Sequence, residues 1–142
     1  MQTGYNELDK IIEINKGDLI IVAARPAMGK TSFVSNVANY VLNKENETVF
    51  FLGLEELKEK IEKRDDKRPL MEDFTSSPKR INYYVDKVLF IYRDSYYNKN
   101  NKSNLTEIIV ANNKNGKTGT VELEWIPKYL KFVNTKLNRS WK

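Results

Sequence analysis

The feature that most constrains this chain is an apolar, strand-like run that leads into a glycine–lysine–threonine loop and then into a helical pattern. The strand-like stretch extends from Asp18 to Ala23, and its run from Leu19 to Ala24 is short, β-branched and apolar on both faces, as a buried parallel strand requires. The loop that follows, residues 24–31, reads Ala-Arg-Pro-Ala-Met-Gly-Lys-Thr. Strand, loop and helix in this order predict a phosphate-binding loop. The helical pattern after the loop consists of Phe33, Val34, Val37, Ala38, Val41 and Leu42.

Each position of this loop has a physical role in that interpretation. Gly29 lets the backbone approach phosphates closely, Lys30 supplies a mobile charge for the β and γ oxygens, and the Thr31 hydroxyl is placed to ligate Mg²⁺. Ala24 departs from the general pattern, because a glycine usually stands there. The alternative is an ordinary helix start with a surface lysine, which the flanking strand and helix disfavour. The other candidate nucleotide-binding residues are Arg25, Pro26, Ala27 and Met28.

Length and composition exclude several classes of protein. A chain of 142 residues with 40% apolar residues predicts one domain with a core of modest size. The absence of cysteine excludes disulfides and thiolate metal sites and suits a reducing cytosol, so a cytoplasmic protein is expected. The absence of histidine excludes the familiar zinc and triad chemistries. No apolar run approaches about 18 residues, so neither a membrane span nor a signal peptide is predicted.

The net charge of +5 lies at one end of the chain. Residues 111–142 hold seven lysine and arginine residues against two glutamates, which accounts for the whole excess. A basic end can mark contact with nucleic acid, but a solvated lysine-rich tail is commoner, and both interpretations stay open. The basic residues of this end are Lys114, Lys117, Lys128, Lys131, Lys136, Arg139 and Lys142.

The remaining pattern predicts short elements around the loop. A short helix is expected over residues 3–13 with Thr3 as its N-cap, and a charged helix over 54–64. Residues 65–86 are mixed and polar, with prolines that break any long helix. A hairpin turn is expected at Asn115-Gly116. Further strands are expected over 47–53 and 87–93 and, as an antiparallel group, over 105–111, 118–125 and 129–133.

Several separate segments together resemble the ATPase domain of DnaB-type replicative DNA helicases. That family also carries alanine at the first loop position, which accounts for Ala24. The matches cover most of the chain, and their combination is highly specific. The matching segments are Thr3-Gly4-Tyr5 with Leu8-Asp9, residues 17–31, Leu54-Glu55, residues 66–69, residues 88–94 with Tyr96-Tyr97-Asn98, Asn115-Gly116 and residues 118–121.

The resemblance implies an α/β fold: a reduced RecA-like P-loop NTPase core with a C-terminal antiparallel β-strand section. It implies ATP and Mg²⁺ as cofactors, single-stranded DNA as a partner, a homo-hexameric ring and a role in DNA replication as an ATP-hydrolysing DNA helicase. Glu55 falls where the family has the carboxylate that orients the attacking water, although a solvated acid at a helix start is the alternative. Lys114 stands at the position of the arginine finger, which acts in trans on a neighbour's nucleotide.

The chain also departs from the family. A central segment with two core strands, one ending in the aspartate that supports Mg²⁺, is absent between Glu55 and Asp66. A single truncated domain is therefore expected, with a phosphate-loop half (1–55), a bridge over the deletion (56–64) and a C-terminal half (65–142). The sheet must then close by direct pairing of the loop strand with the second strand, or leave an exposed edge.

Three further departures concern other parts of the family's machinery. Asn112 replaces a lysine that accompanies the finger. The Arg-Glu-Ser-Gly loop that lies toward the DNA channel reads Thr75-Ser76-Ser77-Pro78. The N-terminal primase-interacting domain of such helicases is not included. Three functions therefore compete: an impaired ATP-dependent helicase, a non-catalytic remnant that binds nucleotide or joins a ring, and a small basic nucleic-acid-binding protein.

Overall fold

The computed structural model of the chain describes residues 1–47, 55–57, 59–75, 77–114 and 116–135. Its strands are β1 (Ile20–Ala24), β2 (Glu55–Glu56), β3 (Lys87–Tyr92), β4 (Leu105–Asn113), β5 (Gly119–Ile126) and β6 (Lys131–Asn134). Within these residues they form one six-stranded sheet in the order β2-β1-β3-β4-β5-β6.

The sheet is parallel around β1 and antiparallel in its C-terminal half. β1 runs parallel to both β2 and β3, whereas each successive pair from β3 to β6 is antiparallel. Every residue of β3 is buried, because apolar side chains pack on both faces of the sheet at this strand. The mixed sheet confirms the predicted α/β fold class and its C-terminal antiparallel section.

Helices surround the sheet, and all of those described are short except one of 15 residues. Among the described residues, none combines the length and the apolar composition needed to cross a membrane. The helices are α1 (Asn6–Asp9), α2 (Lys30–Lys44), α3 (Met71–Phe74), α4 (Pro78–Tyr84) and α5 (Asp94–Tyr97), together with 3₁₀ helices at Glu59–Lys63 and Pro127–Tyr129.

Alternate residues of the strands feed two separate cores, as the period of two in a strand dictates. On one face, α1 and α2 pack against the sheet through Leu8 and Phe33, which meet Leu89 of β3. On the other face, the chain after β2 supplies Leu57 and Ile61, which meet Phe90 of β3. The same core includes Val85, and Met71 and Phe74 of α3 and Ile81 of α4 pack against it, so the bridge shares this layer with α3 and α4.

The bridge closes the sheet by direct pairing. Glu55 pairs with Ala23 and Glu56 with Ala24, so β2 lies directly beside the loop strand. The sequence analysis left open whether the loop strand pairs directly with the second strand or leaves an exposed edge, and in the structure it pairs directly with β2. The backbone N–H of Leu57 then donates to the carbonyl of Ala24, which continues the contact past the strand.

A buried ion pair fixes the chain beyond the bridge. Arg64 donates two hydrogen bonds to the Asp73 carboxylate, at 2.6 and 2.7 Å, and the backbone N–H of Leu70 donates a third at 2.7 Å. The Asp73 side chain is fully buried. Burial alone would raise the pKa of Asp73, but the hydrogen bonds and the charge of Arg64 outweigh it and hold the pKa below its usual value.

The helical predictions before and after the loop need correction. The expected helix over residues 3–13 is only Asn6–Asp9, and Thr3 does not cap it. Thr3 instead donates its N–H and its hydroxyl to the Asp9 carboxylate, and the left-handed φ of Gly4 keeps the helix from starting earlier. In α2, Leu42 does not belong to the buried face, because it is 54% exposed.

The predictions for the middle of the chain are partly wrong. Of the helix expected over 54–64, the described residues instead form β2 (Glu55–Glu56) and a 3₁₀ helix (Glu59–Lys63), and the polar stretch 65–86 contains α3 and α4. The strand expected over 47–53 lies outside the described residues, except Glu47, which is not in a strand. The strand over 87–93 and the three antiparallel strands are confirmed with small shifts of their ends, whereas Asn115 of the expected turn lies outside the described residues.

Candidate nucleotide-binding site

The predicted phosphate-binding loop lies at the carboxyl end of a buried strand. Val22, Ala23 and Ala24 of β1 are buried, and α2 begins at Lys30. Sites for ligands in open α/β sheets form at this end of the strands, where a helix N-terminus directs its free N–H groups outward. Strand, loop and helix therefore occur in the predicted order and place.

The loop backbone is set in a strained conformation that presents N–H donors. Ala27 has φ +64° and Gly29 has φ +87°, both in the left-handed region. The N–H groups of Ala27 and Gly29 donate no hydrogen bond within the described part of the chain. A left-handed residue next to right-handed ones forms a concave set of N–H groups that suits an anion. The strain at Ala27 is of the kind that functional loops retain.

Gly29 is required for a reason that the sequence did not reveal. A Cβ atom at Gly29 would lie 2.9 Å from Cζ of Phe132 and 3.5 Å from the Trp125 ring. Phe132 of β6 is fully buried and packs against both Trp125 and Phe33. The C-terminal hairpin therefore supports the loop from inside, and glycine is the residue that fits against it.

The candidate side chains of the loop differ in exposure. Pro26, Ala27 and Thr31 are exposed and Lys30 is half-buried, so each is accessible to a ligand above the loop. Met28 is 2% exposed and belongs to the core, so only its backbone can contribute. The sequence analysis listed Pro26, Ala27 and Met28 together as candidate nucleotide-binding residues, and the structure separates the buried Met28 from the other two.

Arg25 connects the loop to the bridge. Its guanidinium donates to the backbone carbonyl of Leu57 at 2.6 Å and to Glu62 at 3.0 Å. These contacts join the loop to Leu57 and to Glu62 of the 3₁₀ helix. In this geometry Arg25 is engaged by the chain itself.

Arg93, which the sequence analysis did not single out, lies beneath the loop. It follows β3 and is 9% exposed. Its guanidinium donates to the carbonyls of Ala27 at 3.1 Å and Met28 at 3.4 Å and lies 5.7 Å from the centre of the Trp125 ring. Burial lowers the pKa of Arg93 below its usual value, yet an arginine of this kind stays charged at neutral pH. The order Tyr-Arg-Asp at a strand end carries no periodic signal that could have identified it.

The carboxylates near this edge are engaged elsewhere. Asp94 follows Arg93 and accepts hydrogen bonds from Asn101 and Tyr92, both at 2.9 Å, which hold its pKa below the usual value. Among the described residues, no group of three or more acidic, histidine or cysteine side chains could hold a metal ion. Thr31, whose hydroxyl the sequence predicted as a Mg²⁺ ligand, is exposed in the first turn of α2.

The two other predicted catalytic residues lie at different ends of the sheet. The backbone of Glu55 pairs with Ala23, beside the start of the loop, and its side chain lies outside the described part of the structure. Lys114 follows Asn113, which pairs with Lys87 at the opposite end of β3. That end is about 13 Å of strand from the loop. Lys114 is exposed there and therefore does not reach the loop of its own chain.

The segment expected near DNA lies before α4. Thr75 ends α3, Ser77 precedes α4, Pro78 is the first helical residue and Ser76 lies outside the described residues. Asn112, which replaces the companion lysine, has a buried amide nitrogen without a hydrogen-bond partner among the described residues. The described lysines of the basic end are exposed: Lys114, Lys117, Lys128 and Lys131.

Comparisons with known proteins agree with this architecture. The family of DnaB-like helicase C terminal domains matches residues 1–64 and 54–134. The replicative DNA helicase DnaB of Geobacillus stearothermophilus is 46% identical over 84 residues, which cover 58% of this chain and 18% of that protein. The replicative DNA helicase DnaC of Bacillus subtilis is 44% identical over the same length, with the same coverage. The chain thus spans about a fifth of the length of these relatives.

Solved structures share the fold. A DnaB-like replicative helicase whose structure was described with its interactions with primase has a TM-score of 0.77 at 19% identity, over 95% of this chain and 62% of that one. A solved ATPase domain has a TM-score of 0.78 at 18% identity, over 95% of this chain and 91% of that one. The fold is therefore that of a RecA-like helicase ATPase domain, and the chain belongs to the family of DnaB-like helicase C terminal domains.

Proposed function

We propose that the chain binds ATP with Mg²⁺ at the loop of residues 24–31, as the nucleotide-binding part of a replicative DNA helicase. The observation that supports this most is the loop geometry: left-handed Ala27 and Gly29, just before α2, present N–H groups that have no acceptor in the described part of the chain. An anion at this position would gain hydrogen bonds that the described chain does not supply, together with the favourable end of the helix dipole.

The roles of the loop side chains follow from their exposure. Lys30 would contact the β and γ phosphates, and the Thr31 hydroxyl would hold Mg²⁺, which neutralises phosphate charge when bound. The loop backbone from Arg25 to Gly29 would surround the phosphates, with Met28 contributing through its backbone. Glu55 would orient the attacking water, since its backbone pairs beside the base of the loop.

Hydrolysis should be slow in this chain alone. Lys114 could act only on a neighbour's nucleotide, because it lies at the opposite end of the sheet from its own loop. A lysine at that place lacks the planar fork with which arginine binds phosphate oxygens at two points. No apolar strand followed by an aspartate occurs in residues 56–86, so the aspartate with which the family supports Mg²⁺ has no candidate here. A homo-hexamer on single-stranded DNA would supply the neighbour, and ATP-driven unwinding would be impaired.

Calorimetry on Lys30→Ala tests the proposal. We expect the variant to lose most of its ATP affinity while its circular dichroism stays unchanged, because Lys30 is half-buried over a loop and not in the core. Lys44, in the last turn of the same helix, gives the matched control, and Lys44→Ala should bind ATP as the unmodified protein does. Equal affinities for all three proteins would refute the proposal.

A second candidate function is charge-driven binding of single-stranded nucleic acid. The exposed lysines of the basic end favour it, since the family's DNA-channel loop has lost its charged residues in the Thr75–Pro78 segment. Such binding should weaken with salt by a slope of about −0.7 per phosphate contact and should not respond to ATP. Fluorescence anisotropy of a labelled oligonucleotide across a salt series measures both. A tenfold tightening by a non-hydrolysable ATP analogue would instead indicate a retained helicase cycle.

A further inference from the structure

Arg93 carries a buried positive charge that the described chain does not neutralise. It is 9% exposed, and it makes no ion pair with a carboxylate in the described residues. Three other arginines of the described chain have such a partner: Arg25 has Glu62, Arg64 has Asp73 and Arg68 has Glu107. Burying an unpaired charge is costly unless something else compensates it.

The contacts of Arg93 direct that charge to the phosphate-binding loop. Two donors of the guanidinium engage the carbonyls of Ala27 and Met28, which lie within the left-handed turn of the loop. The ring of Trp125 lies against the guanidinium from the other side. The nearest carboxylate in sequence, that of Asp94, is held by Tyr92 and Asn101.

We propose that Arg93 is a positioning residue that presets the loop and leaves a positive field beneath it, so that the site selects ligands with two or more linked phosphates. The inference rests on the proposed function and deepens it, because it assigns to Arg93 the preference for linked phosphates that nucleoside di- and triphosphates share with inorganic tripolyphosphate. A ligand with a single phosphate offers too little charge to use the field fully, and an uncharged nucleoside offers none.

The test separates ligand binding from folding. Arg93→Met keeps the length and most of the volume of the side chain but removes the charge and the fork. We expect its affinity for ATP and for tripolyphosphate to fall at least tenfold, while its affinity for AMP changes less. The free energy of unfolding should not fall in parallel, because removing an unpaired buried charge relieves its desolvation.

Two more variants keep the proposal falsifiable. Arg93→Lys retains the charge without the fork and should recover part of the tripolyphosphate affinity. Arg68→Met removes an arginine of the same size that is paired with Glu107, and it should leave both affinities unchanged. If Arg93→Met binds ATP as tightly as the unmodified protein, or loses ATP and AMP affinity equally, the inference is wrong.

The outcomes distinguish this inference from the proposed function. If the unmodified chain binds neither ATP nor tripolyphosphate, both fail. If Lys30→Ala abolishes binding but Arg93→Met does not weaken it, the proposed function stands and the role of Arg93 is refuted. If Arg93→Met is unfolded by circular dichroism, its cost is structural, and Arg93→Lys then decides: a stable Lys variant with unchanged tripolyphosphate affinity contradicts the inference.

Discussion

Replacing Gly29 with alanine should destabilise the protein more than the same change at Gly17, because only Gly29 is packed against another side chain. Both glycines have nearly the same left-handed φ, +87° at Gly29 and +85° at Gly17. A Cβ at Gly17 would meet nothing within 4 Å, whereas a Cβ at Gly29 would lie 2.9 Å from the Phe132 ring. The pair therefore separates backbone strain from steric overlap.

The expected magnitudes follow from those two terms. Forcing an L-residue into the left-handed region costs about 1–2 kcal/mol, which both variants should lose. Overpacking against a fully buried ring adds about 1–3 kcal/mol at position 29. Replacing glycine with alanine lowers the conformational entropy of the unfolded chain equally in both variants, so this entropic contribution cancels in the comparison. Gly29→Ala should therefore be less stable than Gly17→Ala by about 1–3 kcal/mol.

Urea unfolding followed by far-ultraviolet circular dichroism measures both free energies. Adding Phe132→Leu to Gly29→Ala removes the atoms that the new Cβ meets, so the double variant should lose less stability than the sum of the two single changes. Equal losses at positions 17 and 29, or strict additivity with Phe132→Leu, would refute the packing of β6 against the loop.

Two other predictions concern the ion pair and the finger position. Because the pKa of Asp73 is held below its usual value, its contribution to stability is complete above about pH 4 and is lost as the pH falls through the folded-state pKa. The free energy of unfolding, measured between pH 2.5 and pH 6, should therefore fall less steeply with acid for Asp73→Asn than for the unmodified protein. The control Asp65→Asn, at an exposed position, should keep the original dependence on pH. Lys114→Arg should raise ATP turnover only slightly in a phosphate-release assay, because the effects of residues that act as one catalytic unit are not additive. A turnover of about 1 s⁻¹ or more in the unmodified chain would contradict the conclusion that its catalytic site is incomplete.

The sequence predicted those parts of the fold that depend on local order. Strand, loop and helix around Gly29 each carry a strong local pattern, and so do β3 and the C-terminal antiparallel strands. The stretch 54–64 was misjudged because tertiary pairing overrides propensity there. Leu57 and Ile61 have helical spacing, but the chain before them is needed beside β1, and their burial against Phe90 is reached through a 3₁₀ turn instead.

Some residues of the candidate site could be predicted from local sequence order, and others could not. Lys30 and Thr31 could be identified because a known chemistry requires those residue types at that spacing. Phe132 and Arg93 could not be identified in this way. They lie 103 and 64 residues beyond Gly29 along the chain, and contacts over such separations leave no local pattern. The short helix at the N-terminus was overextended because the Thr3–Asp9 contact and the left-handed Gly4 compete with it.

The most direct test of the central claim is the affinity of the purified chain for ATP and for adenosine, each with and without Mg²⁺, by calorimetry. If the loop of residues 24–31 binds phosphates, ATP should bind, Mg²⁺ should tighten it, and adenosine should bind far more weakly than ATP. Equal affinity for ATP and adenosine, or no ATP binding at millimolar concentration, would contradict the account.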